Sequence, residues 1–191
     1  PEKFIMKTTN GSGTNLFCKD KENFDLNQAK RSLCKWLSRD IYASGREWSY
    51  KNIKPRIIVE DLLEDPENPY GGINDYKFLC FNGEPKFIVL DVARHSDHKR
   101  NIYDTNWKFI DVSTDHPNFG DCYPKPERLD DMLNISKKLS EDFPAVRVDL
   151  YLVNDQIYFG ELTFYPWTGY VQFEPDDFDY KLGFEFELPQ I

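Results

Sequence analysis

Apolar residues recur along this chain with two different periods, and the periods divide it into elements. Leu26, Ala29, Leu33, Trp36 and Leu37 follow helical spacing and predict a helix over residues 25–38, with Asp25 placed as its N-cap. Leu129, Met132, Leu133, Ile135, Ser136 and Leu139 predict a second helix over residues 126–142. Elsewhere the pattern is that of short strands. Residues 4–7 form one, the Gly/Ser/Thr/Asn cluster 8–15 is turn chemistry, and a further strand should follow it. A β-branched run at 56–59 leads into residues 60–63 before the Pro- and Gly-bearing stretch 65–72 breaks the chain. Alternating runs at 76–81 and 85–92 flank Asn82-Gly83, the strongest short hairpin signal in the sequence. A polar loop spans 111–126, strands over 145–153 and 156–164 surround Asn154-Asp155, and an aromatic, acidic tail carries Pro166, Pro175 and Pro189. There is no internal repeat and no low-complexity tract.

The second hairpin carries the most informative chemistry. With a three-residue turn at 154–156, Val153 opposes Ile157, Tyr151 opposes Phe159, Asp149 opposes Glu161 and Arg147 opposes Thr163, which gathers the polar groups on one face. Val146, Val148, Leu150, Leu152, Tyr158, Leu162 and Phe164 then form the dry face. A two-residue turn would oppose Asp149 to Gly160 and drive Glu161 into the apolar layer, an expensive burial, so the longer turn is expected. Two carboxylates a cross-strand distance apart repel unless a cation joins them, and Mg²⁺ with phosphate co-ligands favours such hard oxygens. The bland alternative is a surface strand pair in which Arg147 neutralises Asp149, an arrangement worth about 0–1 kcal/mol.

Composition narrows the field. At 191 residues, 40% hydrophobic and 16% aromatic, the chain is long enough to bury a core. A net charge of −9 argues against nucleic acid as a partner, because phosphate-backbone affinity comes from Lys and Arg. No apolar run reaches membrane-spanning length and no signal peptide opens the chain. Cys18, Cys34, Cys80 and Cys122 form no Cys-x-x-Cys pair, and reduced thiols in a cytoplasmic protein fit them best. The sequence enters an apolar run directly after Pro1, so further sequence upstream is expected.

Other motifs are weaker. Lys7 closes a strand and is followed by Thr8, Thr9, Asn10, Gly11, Ser12, Gly13, Thr14 and Asn15, a loop whose backbone N–H groups can approach an anion, although an ordinary hairpin loop reads the same way. It is neither a Walker loop nor a dinucleotide fingerprint. Lys108 is a second candidate phosphate contact; His95 and His98 lack a third metal ligand in their segment, and Asp176, Asp177 and Asp179 suggest the carboxylate motif of nucleotide-sugar transferases, although such a stretch in an acidic protein is more often plain surface. No Ser/His/Asp or Cys/His nucleophile set can be assembled.

In chain order, the lysine-ended strand and glycine loop, Glu60-Asp61-Leu62-Leu63, Asp75, Lys108 and the carboxylate hairpin resemble the ATP-grasp superfamily. The stretches DYKFLCFNG (75–83), RVDLY (147–151) and FGELTF (159–164) look like its TupA-like branch, associated with teichuronopeptide and surface-polysaccharide biosynthesis. The resemblance implies an α+β nucleotide-binding core of two small antiparallel-sheet-plus-helix lobes clasping ATP, residues 1–63 and 64–191, with the preceding pre-ATP-grasp domain missing. By position, Lys7 and Lys108 would contact ATP phosphates and Asn10 to Asn15 would form the phosphate lid. Glu60, Asp61 and Leu63 would line the adenine site, and Asp75 would take the ribose hydroxyls. Asp149, Glu161 and Thr163 would hold magnesium, while Arg147 would steady the transferring phosphoryl group. Thr163 stands where the family usually has Asn, and its hydroxyl can still coordinate. The implied reaction joins a carboxylate, such as a sugar acid or a peptide or glycan carboxylate, to an amine at the expense of ATP. The alternatives are a glycosyltransferase of surface glycan assembly, and a non-catalytic glycan-binding module using Trp167, Tyr170, Phe173, Phe178 and Tyr180.

Overall fold

Asp25 begins the first helix as its spacing predicts: its carboxylate accepts a hydrogen bond from the Gln28 N–H at 2.8 Å, and the helix α1 runs over Leu26–Leu37. A computed structural model describes residues 1–94, 96–120 and 123–187. The chain divides into two compact units, Pro1–Leu63 and Glu64–Ile191.

In the first unit, β1 (Phe4–Thr8) is the centre of a three-stranded antiparallel sheet between β2 (Asn15–Cys18) and β3 (Ile57–Asp61). The apolar stripe of α1 buries Ala29 and Leu33, and the sheet buries Phe4 beside its partner Cys18 on one face and Ile5 on the other. The short helix α2 (Ile41–Gly45) and a single 3₁₀ turn at Trp48–Tyr50 fill the connection between α1 and β3. Neither is signalled by periodicity, because a five-residue helix is too short to show one.

The second unit is a six-stranded antiparallel sheet in the order β7-β6-β5-β4-β8-β9. Its strands are β4 (Asp75–Phe81), β5 (Glu84–Val92), β6 (Lys99–Asp104), β7 (Phe109–Ile110), β8 (Ala145–Val153) and β9 (Gln156–Thr163). The Asn82-Gly83 hairpin is present with its two-residue turn, both residues at positive φ. Helix α3 (Leu129–Ser140) packs on one face, where Phe78, Ile88, Leu90, Tyr103, Val148 and Leu150 meet Leu129 and Met132 in the main core. On the other face, Leu79, Val89 and Ile102 are covered by the tail, which places Phe173 and Phe178 against them. The tail contains α4 (Asp177–Glu185), and the acidic residues Asp177 and Asp179 occupy its first turn, where they favour the helix dipole.

The β8–β9 turn differs from the sequence expectation. Val153 pairs with Gln156, so the turn has two residues, Asn154 and Asp155, at φ of 50° and 59°. Consequently Leu152 opposes Ile157, Tyr151 opposes Tyr158 and Leu150 opposes Phe159. Ile157 takes the core-facing place expected for Tyr158, whose hydroxyl instead donates to the Gln156 side chain. The register then shifts between Asp149 and Leu150: Gly160 is an extra residue, and beyond it Asp149 opposes Glu161 and Arg147 opposes Thr163. The expected polar pairs therefore form, through a bulge rather than a longer turn. A Cβ at Gly160 would lie 3.0 Å from the Asp149 carbonyl oxygen and 3.1 Å from the Tyr151 ring, so glycine lets the bulge close on the neighbouring strand.

A candidate nucleotide-magnesium site on the charged half of the sheet

Strand alternation and register build the site. Side chains two apart share a face, so Asp75 and Lys77 of β4 lie with Asp91 of β5, Arg100 of β6, and Arg147 and Asp149 of β8 on the face away from α3. Further along the same strands this face is the apolar patch under the tail. One end of the sheet surface is thus dry and the other charged.

Lys77 is the hub of the charged end. Its buried ammonium contacts the Asp75 carboxylate, lies 3.0 Å from Asp91 Oδ2 and 4.0 Å from Asp149 Oδ2. Asp75 also accepts from Arg94 Nη1 at 2.5 Å, while its other oxygen, Oδ1, is buried without a partner. Arg100 donates Nε to Asp91 Oδ1 at 2.6 Å and also holds Asp115. Burial alone would raise the Asp91 carboxyl, yet Lys77 and Arg100 together outweigh it and hold it well below the usual carboxylate range. His98 Nε2 lies 3.0 Å from the same carboxylate, but desolvation keeps its imidazole below the ordinary histidine value.

Arg147 organises the neighbouring group. Its Nε and Nη2 grip Asp149 in a two-point pair at 2.7 Å each, and Nη2 reaches Thr163 Oγ1 at 3.0 Å and Glu161 Oε1 at 3.2 Å. Thr163 donates its hydroxyl to Glu161 Oε1 at 2.8 Å. The two carboxylates differ sharply in environment. Asp149 is 3% exposed, and burial pushes its carboxyl up, to about 6, against the pull of Arg147 and Lys77. The Glu161 side chain is 61% exposed. The indole of Trp167 covers the group, its ring centre 5.4 Å from the Arg100 guanidinium and 5.7 Å from that of Arg147. Trp167 and Thr168 are both left-handed, at φ of 52° and 57°, a strained backbone of the kind concentrated at functional sites.

The remaining positions divide between the units. Asp75, Arg147, Asp149, Glu161 and Thr163 converge on one surface of the second unit, whereas Lys108 lies in the exposed β6–β7 connection at the opposite end of β6 from Arg100, where its N–H donates to Asp104. Lys7 belongs to the first unit and is paired with Glu60 at 2.5 Å. Asp61 is exposed, and Leu63, half-buried, ends that unit. In the glycine loop only the tip is open. Asn10 is buried and donates to the Trp36 and Arg39 carbonyls at 3.1 Å, satisfying the end of α1. Thr14 is buried against the Thr8 hydroxyl at 2.7 Å, Gly11 packs against Ile41, and Ser12, Gly13 and Asn15 are exposed.

Sequence reasoning did not single out Lys77, Asp91, Arg94 or Arg100. Lys77 and Asp91 do stand on the polar phase of alternating strands, but β6 carries no alternation that would have marked Arg100. Phe173 and Phe178 are core residues, which removes them from any glycan-stacking surface. His95 and Cys122 lie outside the described residues.

The family model described as TupA-like ATPgrasp matches residues 1–187. The chain belongs to the TupA-like ATP-grasp family. Among solved structures, the D-alanine-D-alanine ligase from Helicobacter pylori is similar at 18% identity and a TM-score of 0.40, over 84% of this chain and 41% of that one. The chain therefore spans less than half the length of that enzyme. No curated protein sequence matches it. A TupA-like ATP-grasp chain is expected to use ATP and a divalent cation, and the residues present fit such a cation by their chemistry. Asp149, Glu161 and Thr163 offer hard oxygens on adjacent strands, and Glu161 is open to solvent. Among the described residues no group of three or more His, Cys, Asp or Glu is arranged to hold a metal by itself, so phosphate oxygens would have to complete the shell.

Proposed function

We propose that this chain is the nucleotide-binding part of an ATP-dependent ligase that joins a carboxylate to an amine in cell-surface polysaccharide or teichuronopeptide assembly. The observation that carries the reading is the bulge-set pairing of Asp149 with Glu161 beside Thr163, under the Arg147 guanidinium, in a chain of the TupA-like ATP-grasp family. Asp149, Glu161 and Thr163 would hold Mg²⁺, which would neutralise phosphate charge there. Arg147 exchanges part of its grip on Asp149 for the phosphoryl group in transit, since a planar guanidinium suits both partners. Asp75 takes ribose hydroxyls by its place in the family pattern; its carboxylate is buried and held by Lys77 and Arg94 in this structure. Lys7, Lys108 and the loop tip at Ser12 and Gly13 contact phosphates, and Glu60, Asp61 and Leu63 line the base.

Bound ATP supplies a γ-phosphoryl group for a carboxylate oxygen, and displacement of that phosphate by the amine leaves amide, ADP and phosphate. The side chains then have only to position and neutralise charge, and no nucleophile motif is required of them. Asp149→Asn and Glu161→Gln in the intact protein should each abolish magnesium-dependent ATP turnover, with far-UV circular dichroism unchanged. Turnover retained in both variants would overturn the assignment. A thermal-shift screen of ATP against nucleotide sugars separates the ligase from a glycosyltransferase.

A further inference from the structure

Positive charge is unevenly distributed along this acidic chain. Residues 30–56 contain eight Lys and Arg against two carboxylates, in a protein of net charge −9. Most other prominent cations are paired: Lys7 with Glu60, Lys77 and Arg100 with Asp91, Arg147 with Asp149. Arg46, Lys51, Lys54 and Arg56 make no ion pair with a described residue. Instead, Lys51 Nζ sits 4.0 Å from the centre of the Trp48 ring and 5.3 Å from that of Tyr42, and the Arg46 guanidinium lies 5.6 Å from the same Tyr42 ring. Aromatic rings hold these cations at the surface without neutralising them.

The same stretch exposes apolar side chains. Trp48 is 60% exposed and Ile53 37% exposed, beside exposed Arg46, Lys54 and Arg56. An exposed indole and aliphatic group within eleven residues that carry four such cations, one of them on the indole itself, match the interfacial zone of an anionic bilayer, where Trp settles at headgroup depth and each Lys or Arg gains from the surface potential. A soluble polyanion would satisfy the cations but gives no reason for the exposed Ile53. The patch shares no residue with the nucleotide positions assigned above, although the Arg56 backbone exchanges hydrogen bonds with Thr9 at the start of the glycine loop.

We propose that residues 46–56 form a peripheral docking surface for an anionic lipid membrane, with Trp48 and Ile53 entering the headgroup layer and Arg46, Lys51, Lys54 and Arg56 facing lipid phosphates. The test is co-sedimentation of the full chain with phosphatidylcholine vesicles, with and without phosphatidylglycerol, alongside tryptophan fluorescence. Binding should require phosphatidylglycerol, weaken with added salt, and shift the emission to the blue. Arg46→Ala and Lys54→Ala should each weaken binding about fivefold, and Trp48→Ala should remove the blue shift, all with unchanged circular dichroism. Equal binding to pure phosphatidylcholine, wild-type binding by the variants, or no binding at low salt would overturn the proposal. So would displacement from vesicles by dextran sulfate with no blue shift on the vesicles, which would make the ligand a soluble polyanion. None of these outcomes depends on ATP turnover, so the ligase reading stands or falls separately.

Discussion

Lys77 shows how much a single buried residue settles at this site. Three carboxylates, from Asp75, Asp91 and Asp149, approach its one ammonium group. Without that cation they would repel across adjacent strands in a poorly solvated layer. Asp91 is the most tightly held of them, by Lys77 and Arg100 against the cost of burial. Because its folded-state carboxyl titrates below the unfolded one, its contribution is fully present above the ordinary Asp range near pH 4 and is lost as pH falls from there towards the folded value. Asp91→Asn should therefore lower stability at neutral pH, and the gap from wild type should narrow towards pH 2.5, as measured by urea melts at both pH values. A gap unchanged with pH would mean that Asp91 is not titrating as the geometry requires.

At the scale of elements, the β8–β9 hairpin combines two irregularities that cancel. Its two-residue turn alone would send Glu161 towards the apolar face, and the extra residue Gly160 restores it to the face of Asp149. Deleting Gly160 should remove the bulge while leaving Glu161 opposite Asp149 and Thr163 opposite Arg147, so magnesium-nucleotide binding should persist in calorimetry. Gly160→Ala, which crowds the Asp149 carbonyl, should keep the register and lower stability by about 1–3 kcal/mol in thermal melts. Loss of magnesium-nucleotide binding in a folded deletion variant would show that the site depends on the bulged backbone itself and not only on the face that Glu161 occupies. The turn itself was misread because apolar alternation looks the same for either loop length. A bulge leaves no periodic trace except a glycine in an otherwise filled strand, and Gly160 was that trace.

For the whole molecule, the two units differ in what they bury. The first buries only Phe4, Ile5, Cys18, Ala29 and Leu33 among its apolar side chains, and its strand β3 is exposed throughout, whereas the second encloses the large cluster between its sheet and α3. A unit of this size with so few buried side chains is marginal by itself. Hydrogen exchange should therefore be slowest in β4, β5 and β8 and markedly faster in β1 to β3, read by mass spectrometry of peptic fragments. Equal protection in both sets would show that the first unit draws stability from contacts beyond its own core.

The sequence by itself determined the elements whose signal is local: α1 with its Asp25 cap, α3, the Asn82-Gly83 hairpin and the strand pair that carries Asp149 and Glu161. Each is a matter of neighbours a few residues apart, which periodicity and turn chemistry record. The order of the motifs also pointed to the family before any coordinates. Only the tertiary structure decided what depends on register between distant strands. The six-stranded order brings Arg100, Asp91 and Lys77 to Asp75 and Asp149; the bulge sets the face of Glu161; and the tail lays Trp167 over two guanidinium groups. A charge on a strand is polar surface in one dimension. It becomes part of a site only when a partner far away in sequence lies a few ångströms across the sheet.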